Sequence, residues 1–320
     1  MKFKYSAICT LACSTLAVSV ALAQPDFPNK AVFMTVNYGP GSNTDVASRI
    51  LATGMGNEMG QAVVVNNRPG AFGTLSVSAL AMEKPDPYRL GVVSYATQAI
   101  SPHLMTLNYT MNDFQFVCGF GRYRYGIAVN ANSPYKTIDD LVAASKKGKS
   151  IFFGGSSTPN FLALLELGRV SGGKFEQVSF RSGPEAATAL LGGQIEAIVQ
   201  NPSDIMPHVQ NGKMRMIASA SPIRWPEVPN VPTLREAGYP VEVDSWVGLA
   251  VRAGAPEAAV KRLESSCLSA MKNPDVATRI TNVGIDPVAL PGVSYLAALK
   301  EGYEKMGVAI KAANLPRIAD

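Results

Sequence analysis

The chain has 320 residues, 29 Lys and Arg against 24 Asp and Glu, a formal net charge of +5 and 47% hydrophobic residues. That is enough chain for about two average domains, each able to bury a core without a disulfide framework. The mild charge excludes a nucleic-acid partner: the one basic run, Lys146-Lys147-Gly148-Lys149, has no aromatic platform interleaved and reads as a solvated helix end.

Lys2 and Lys4 precede an apolar run from Ile8 to Leu22 that ends in Ala21-Leu22-Ala23, the small-x-small pattern a signal peptidase accepts. Residues 1–23 therefore read as a signal peptide, and the mature chain, starting near Gln24, is expected in the periplasm with a net charge of +3. The competing readings are an uncleaved anchor, for which the run is short, and a lipoprotein on Cys13, against which Thr10 stands where a lipobox has Leu. No later segment reaches the roughly twenty apolar residues of a membrane helix. Cys9 and Cys13 leave with the signal; nothing in the spacing of Cys118 and Cys267 brings their Cα atoms together, so a disulfide is the less favoured reading.

Along the mature chain, β-branched runs alternate with helical patterns. Ala31 to Val36 leads through a glycine-rich turn into a segment where Val46, Ile50, Leu51 and Met55 share one helical face. Ala62–Val65 and Leu90–Ser94 read as further strands. Ile151–Phe153 precedes a serine-rich turn and a helix from about Asn160, Ile195–Val199 precedes Asn201-Pro202, and Met214–Ala218 follows. Alternation of this kind predicts α/β architecture with mainly parallel sheets flanked by helices, and ligands at the carboxyl ends of the strands. Glycine-punctuated strand patterns between Phe116 and Asn130, and a second stretch from Val241 to Val251, suit two crossings between lobes. The expected division is 24–125 plus 247–320 for one lobe and 126–246 for the other. Pro256 to Asn314 reads as helical scaffold, with Pro256 and Pro274 near helix starts.

Catalytic and metal constellations are missing. His103 and His208 lie far apart, and there is no HExxH, CxxC, GxSxG or phosphate-binding loop; Gly119-Phe-Gly121 and Gly54-Met-Gly56 are incomplete as dinucleotide motifs. The expectation is a protein that is not an enzyme and uses no metal or cofactor. What the chain offers is two small-polar turns, each between a strand and a helix. The first is Tyr38-Gly39-Pro40-Gly41-Ser42-Asn43-Thr44-Asp45; the second is Gly154-Gly155-Ser156-Ser157-Thr158-Pro159-Asn160. Glycines let backbone amides approach a ligand, and a helix N-terminus favours negative charge. The bland alternative is a helix cap by Asn43 or Thr44. Two such turns facing each other would grip a carboxylate without a buried counter-ion.

At these residues the chain resembles the Bug, or tripartite tricarboxylate transporter receptor, family of periplasmic solute-binding proteins. The resemblance runs over essentially the whole mature chain. It rests on Gly41 with Thr44-Asp45, Val63-Val-Val-Asn-Asn67-Arg68-Pro69-Gly70-Ala71, Pro85-Asp86 before Tyr88, and Ile100-Ser101-Pro102. Ser182-Gly183-Pro184 with Leu190-Leu-Gly-Gly-Gln194, Pro207-His208, Val231-Pro232-Thr233 before Glu236-Ala-Gly238, and Ser245-Trp246 with Gly248-Leu249 complete it. It implies a two-lobe periplasmic binding protein fold of type II, a ligand carboxylate in the inter-lobe cleft, membrane permease subunits as partners, and action as a monomer. Gly41, Thr44, Asp45 and Thr158 carry over to the family's turns. The chain departs from the family at Tyr38-Gly39-Pro40-Gly41-Ser42-Asn43, at Arg181 where Lys is common, and at Gln200 where Asp is common before Asn201.

Gln200 removes a partner for a substrate ammonium, so an uncharged or dicarboxylic ligand is expected rather than an amino acid. Arg181 is placed to fork a second carboxylate, or else is a surface arginine. Tyr38, Tyr95, Phe161 and Trp246 are candidates to stack on a flat ligand such as terephthalate, against the alternative of core or hinge packing. Asp45 is read as a cap rather than a base, and Arg68-Pro69-Gly70 as a turn bracing the first loop. A periplasmic sensor that presents its ligand to a membrane signalling partner is the alternative function.

Overall fold

The computed structural model describes residues 27–180, 182–312 and 317. The signal-peptide, anchor and lipoprotein readings of the N-terminus, and Arg181, lie outside the described residues.

The first β-α-β passage is β1 (Val32–Val36), α1 (Asn43–Met59) and β2 (Val63–Asn67), followed by α2 (Thr74–Met82) and β3 (Arg89–Ser94). A π-helical turn over Ala96–Ile100 runs into the short α3 (Ser101–Leu104), and β4 (Phe114–Tyr123) then passes to β5 (Gly126–Asn130). The middle of the chain comprises α4 (Ile138–Lys146), β6 (Ile151–Gly155), α5 (Thr158–Ser171), β7 (Phe175–Ser179) and α6 (Gly183–Leu191). It continues through β8 (Ala197–Gln200) and α7 (Pro202–Gln210) to β9 (Met214–Ser219). After a long segment, β10 (Trp246–Arg252), α8 (Glu257–Lys272), α9 (Pro274–Asn282), β11 (Ile285–Pro291) and α10 (Gly292–Ala312) close the chain.

Two sheets result, ordered β11-β4-β10-β3-β1-β2 and β7-β6-β8-β5-β9. They are mixed rather than mainly parallel. The β-α-β passages give parallel pairs (β1 with β2 and β3, β6 with β7 and β8), whereas β4, β10 and β11, and likewise β5 with its neighbours β8 and β9, pair antiparallel. Every antiparallel pair includes β4, β5 or β10, strands that adjoin the passages between the sheets. The chain leaves the first sheet at Tyr123, enters the second at Gly126, and returns between Ser219 and Trp246.

The strand β11 was not expected, because Pro287 and Pro291 argue against a strand interior. Its edge position resolves this: a proline that cannot donate to a neighbour is tolerated where no neighbour exists. Residues 241–245, expected as strand, run up to β10 outside it, with Val243 N donating to the Ala220 carbonyl. Gly54 sits inside α1 against Ala270 of α8, so it serves helix packing.

Cys118 on β4 and Cys267 on α8 form a disulfide, with Cα atoms 6.6 Å apart across 149 residues of sequence. The pairing went unforeseen because only the fold brings α8 onto β4. Among the described residues no helix is long and apolar enough to cross a membrane.

Candidate functional site

A cavity of about 630 Å³ opens between the two sheets. Its base is the pair of passages that join them: Tyr123 and Tyr125, with ring centroids 6.5 Å apart, and Ser245 on the return. Tyr123 N donates to the Ser245 carbonyl at 2.8 Å, and Tyr125 N to Ser221 Oγ at 2.8 Å, which locks the two passages together.

The walls are helix N-termini. Ser42, Asn43 and Thr44 come from α1; Ser157, Pro159 and Asn160 from α5; Ser182, Gly183 and Pro184 from α6; Asn201, Ser203 and Asp204 from α7. Each helix start leaves backbone N–H groups without an intrahelical acceptor and carries a partial positive charge. Four of them around one cavity favour an anion, and among the described lining residues there is no lysine, arginine or histidine.

The first turn is rigid because Asp45 ties it from behind. Ser42, one residue earlier than expected, is the N-cap of α1 and accepts from Asp45 N. Gly41 takes a left-handed φ of 81°, where a side chain would be strained, and its N–H donates to Asp45 Oδ2 at 2.9 Å. Asn67 at the end of β2 donates to Asp45 Oδ1 at 2.7 Å and to the Tyr38 carbonyl at 3.0 Å. Arg49 completes the cluster. Burial by itself would raise the Asp45 carboxyl, but the hydrogen bonds from Arg49, Asn67 and Gly41 together hold it below the usual carboxylate range. The brace is therefore Asn67, next to the Arg68-Pro69-Gly70 turn that was expected to serve. Thr44 Oγ1 bonds Tyr123 Oη and so joins this turn to the base of the cavity.

The second turn is fixed in the same way. Asn160 Nδ2 donates to the Val199 carbonyl at 2.5 Å and approaches Gln200 Oε1, which also meets Ser156 Oγ at 3.4 Å, and Ser157 Oγ donates to Asn160 Oδ1. Among the described residues no protein acceptor takes the amides of Asn43, Ser156 or Ser157.

Of the residues singled out from sequence, Tyr38, Gly41, Ser42, Asn43, Thr44, Ser156, Ser157, Asn160 and Asn201 line this cavity. Asp45, Tyr95, Thr158, Phe161, Gln200 and Trp246 do not, each for a local reason. Asp45 and Gln200 are buried behind the turns they hold. Tyr95 packs under Gly302 of α10, leaving its neighbour Ala96 in the lining. Phe161 lies edge-on against Phe153. Thr158 is the first residue of α5. Trp246 is held outside by Arg122 over its ring and by Nε1 donating to Asp244 at 3.1 Å. The sequence reading missed Ser94, Tyr123, Tyr125, Ser182, Asp204, Ser245, Asn282 and Val283. The Ser182-Gly183-Pro184 turn was the one available signal, a capped helix start after a strand.

Among the described residues no cluster of His, Cys, Asp and Glu is suited to a metal ion. The profile of the family described as the tripartite tricarboxylate transporter family receptor matches residues 47–315. A protein encoded in the gbd 5′ region of Cupriavidus necator is 29% identical over 295 residues, covering 91% of this chain and 90% of that one. A solved structure of a periplasmic transporter is 31% identical with a TM-score of 0.81, covering 91% of this chain and all of the other. The malate-bound protein MatC of Rhodopseudomonas palustris is 26% identical with a TM-score of 0.78, covering 89% of this chain and all of its own.

Proposed function

This chain belongs to the tripartite tricarboxylate transporter receptor family, and on that premise we propose that it captures a small carboxylate between its two lobes in the periplasm and, as a monomer, delivers it to membrane permease subunits. The observation that carries this reading is the convergence of four helix N-termini on one cavity whose described lining holds no cationic side chain. An anion at a partly buried helix N-terminus is stabilised by on the order of 1 kcal/mol per helix. Two or three such ends with free amides are therefore comparable to one buried counter-ion, without the desolvation cost of burying an arginine.

The ligand carboxylate is placed between the Ser42–Thr44 and Ser156–Ser157 turns, where the unpaired amides are. MatC, a similar protein, is described with bound malate, which supports a short carboxylate. A dicarboxylate, aromatic members such as terephthalate included, depends on Arg181 forking the second group.

The test is a thermal-shift screen of mono-, di- and aromatic carboxylates followed by calorimetry, with Ser42→Ala, Thr44→Val and Ser156→Ala variants. A ligand at a hundred times its Kd adds about 2.7 kcal/mol of stability. Wild type should respond and the turn variants should lose affinity. A wild-type response that all three variants retain in full rejects the placement, and the absence of any response to carboxylates rejects the receptor reading.

A further inference from the structure

The cavity is not uniformly suited to an anion. Asp204, in the first turn of α7, is the only charged side chain among its described lining residues, and it has no hydrogen-bonding or ion-pairing partner there. Its carboxylate lies against the Cα of Gly183, the first residue of α6; a Cβ at that position would collide with both oxygens. It does not cap α6, because Ser182 Oγ already accepts from Glu185 N. Asn201, three residues earlier and also in the lining, presents a buried Oδ1 that receives no donor among the described residues. Two acceptors with no donor among the described residues thus belong to the start of α7, one of them against the start of α6, while the amides without acceptors sit at the starts of α1 and α5. The cavity has a donor-rich end and an acceptor-rich end.

We propose, resting on the carboxylate-receptor reading above, that Asp204 is a specificity-determining residue that accepts a hydrogen bond from an ammonium group of the ligand, so that the substrate class is amino-carboxylates rather than dicarboxylates. The acid that Gln200 lacks is supplied four residues on, from the next helix. A ligand with a second ionised carboxylate meets a like charge at Asp204, and desolvation of both in a partly closed cavity makes that juxtaposition costly. An ammonium meets its complement.

Burial pushes the Asp204 carboxyl up to about 6. Among the described residues, the charged or titratable groups on the elements around it are Glu185 at the start of α6, His208 further along α7, Arg215 on β9, whose guanidinium donates to the Tyr135 carbonyl, and, on α9 and β11, whose junction at Gly284 packs on the start of α7, Arg279 paired with Asp275 and Asp286 paired with Arg124. Tyr38, Tyr123 and Tyr125 in the cavity are all raised, mainly by burial, so Asp204 is the lining group that titrates between pH 5 and 8. Affinity for an amino-carboxylate should fall as pH drops through about 6, approaching tenfold per unit below it; affinity for a dicarboxylate should rise.

The experiment is calorimetry of the full mature protein against L-aspartate, L-glutamate, β-alanine and γ-aminobutyrate, and against acetate, succinate, malate and adipate, at pH 7.5 and pH 5.0, on wild type, Asp204→Asn and Asp204→Ser. At least one amino-carboxylate should bind wild type more tightly than every dicarboxylate at pH 7.5. Asp204→Asn should weaken it roughly 30-fold or more, with simple monocarboxylates within about threefold. Carboxylate binding that favours dicarboxylates at pH 7.5, or that neither the substitutions nor pH alters for amino-carboxylates, overturns the Asp204 assignment and leaves the receptor reading in place. Wild type that binds no member of either set overturns the Asp204 assignment, and overturns the receptor reading with it when the aromatic carboxylates of the wider screen also fail to bind. The wild-type pH profile decides the matter even if neither variant folds.

Discussion

Replacing Asp45 with alanine removes the carboxylate on which the first turn is built. Asp45 is 2% exposed and accepts from Gly41 N at 2.9 Å, Asn67 Nδ2 at 2.7 Å and Arg49 Nε at 3.1 Å. The Arg49 contact contributes little, since that side chain is 48% exposed and screened by solvent. The other two are hydrogen bonds to a charged, buried acceptor and contribute about 1.5–3 kcal/mol each. The expected loss is about 3–6 kcal/mol, or a melting temperature lower by roughly 10 °C in a chain of this size. Because the folded-state carboxyl is held below its ordinary value of 3.8, the stabilisation is fully present above that value and disappears as pH falls through the lowered one. The melting curves of parent and variant should therefore converge in strong acid. Differential scanning calorimetry at neutral pH and in acid checks both halves. A variant that melts within about 2 °C of the parent at neutral pH refutes the claim that this carboxylate shapes the turn.

Replacing both Cys118 and Cys267 with serine should lower the denaturant midpoint by an amount corresponding to at most about 5 kcal/mol, the chain-entropy value for a link across 149 residues; an unchanged midpoint would mean that the unfolded chain is already constrained. Arg124, 1% exposed on the passage between sheets, pairs with Glu227 at 2.7 Å and Asp286 at 2.8 Å, and its guanidinium lies over the Trp225 ring. Arg124→Ala leaves two carboxylates facing a void and should cost about 3–5 kcal/mol in urea unfolding. A cost below 1 kcal/mol would show that water replaces the guanidinium freely.

The strand-turn-helix grammar was legible at both small-polar turns, since β1 with α1 and β6 with α5 are contiguous in sequence and their glycines and hydroxyls announce the geometry. The same logic reached Asn201 through the Asn-Pro start of α7. It could not reach Asp204, which on a helical pattern looks like any first-turn acid; its meaning comes from Gly183, twenty-one residues away, against whose bare Cα it rests. Tyr123, Tyr125 and Ser245 escaped because they belong to the passages between sheets, where no periodicity marks a side chain as facing a cleft. The aromatic candidates Tyr95, Phe161 and Trp246 lie near the site in sequence, but each has a packing partner that draws its ring away. Gln200 was read as facing ligand for want of a way to see that Asn160 and Ser156 would engage it from the other side.

The strand order of the first sheet has a consequence for the order of assembly. The second sheet uses one uninterrupted stretch, β5 to β9, whereas β10 inserts between β3 and β4 from far downstream. As the chain is made from its N-terminus, β3 and β4 have no shared neighbour until residue 252 has emerged, and Cys118 has no partner until residue 267 has. The second sheet, encoded within residues 126–219, can thus be complete while the first still carries open strand edges, which are the places where a growing chain is most exposed to wrong pairing. For this protein, truncation before β10 would leave unfinished the sheet that holds the first turn, and spare the strands of the one that holds the second.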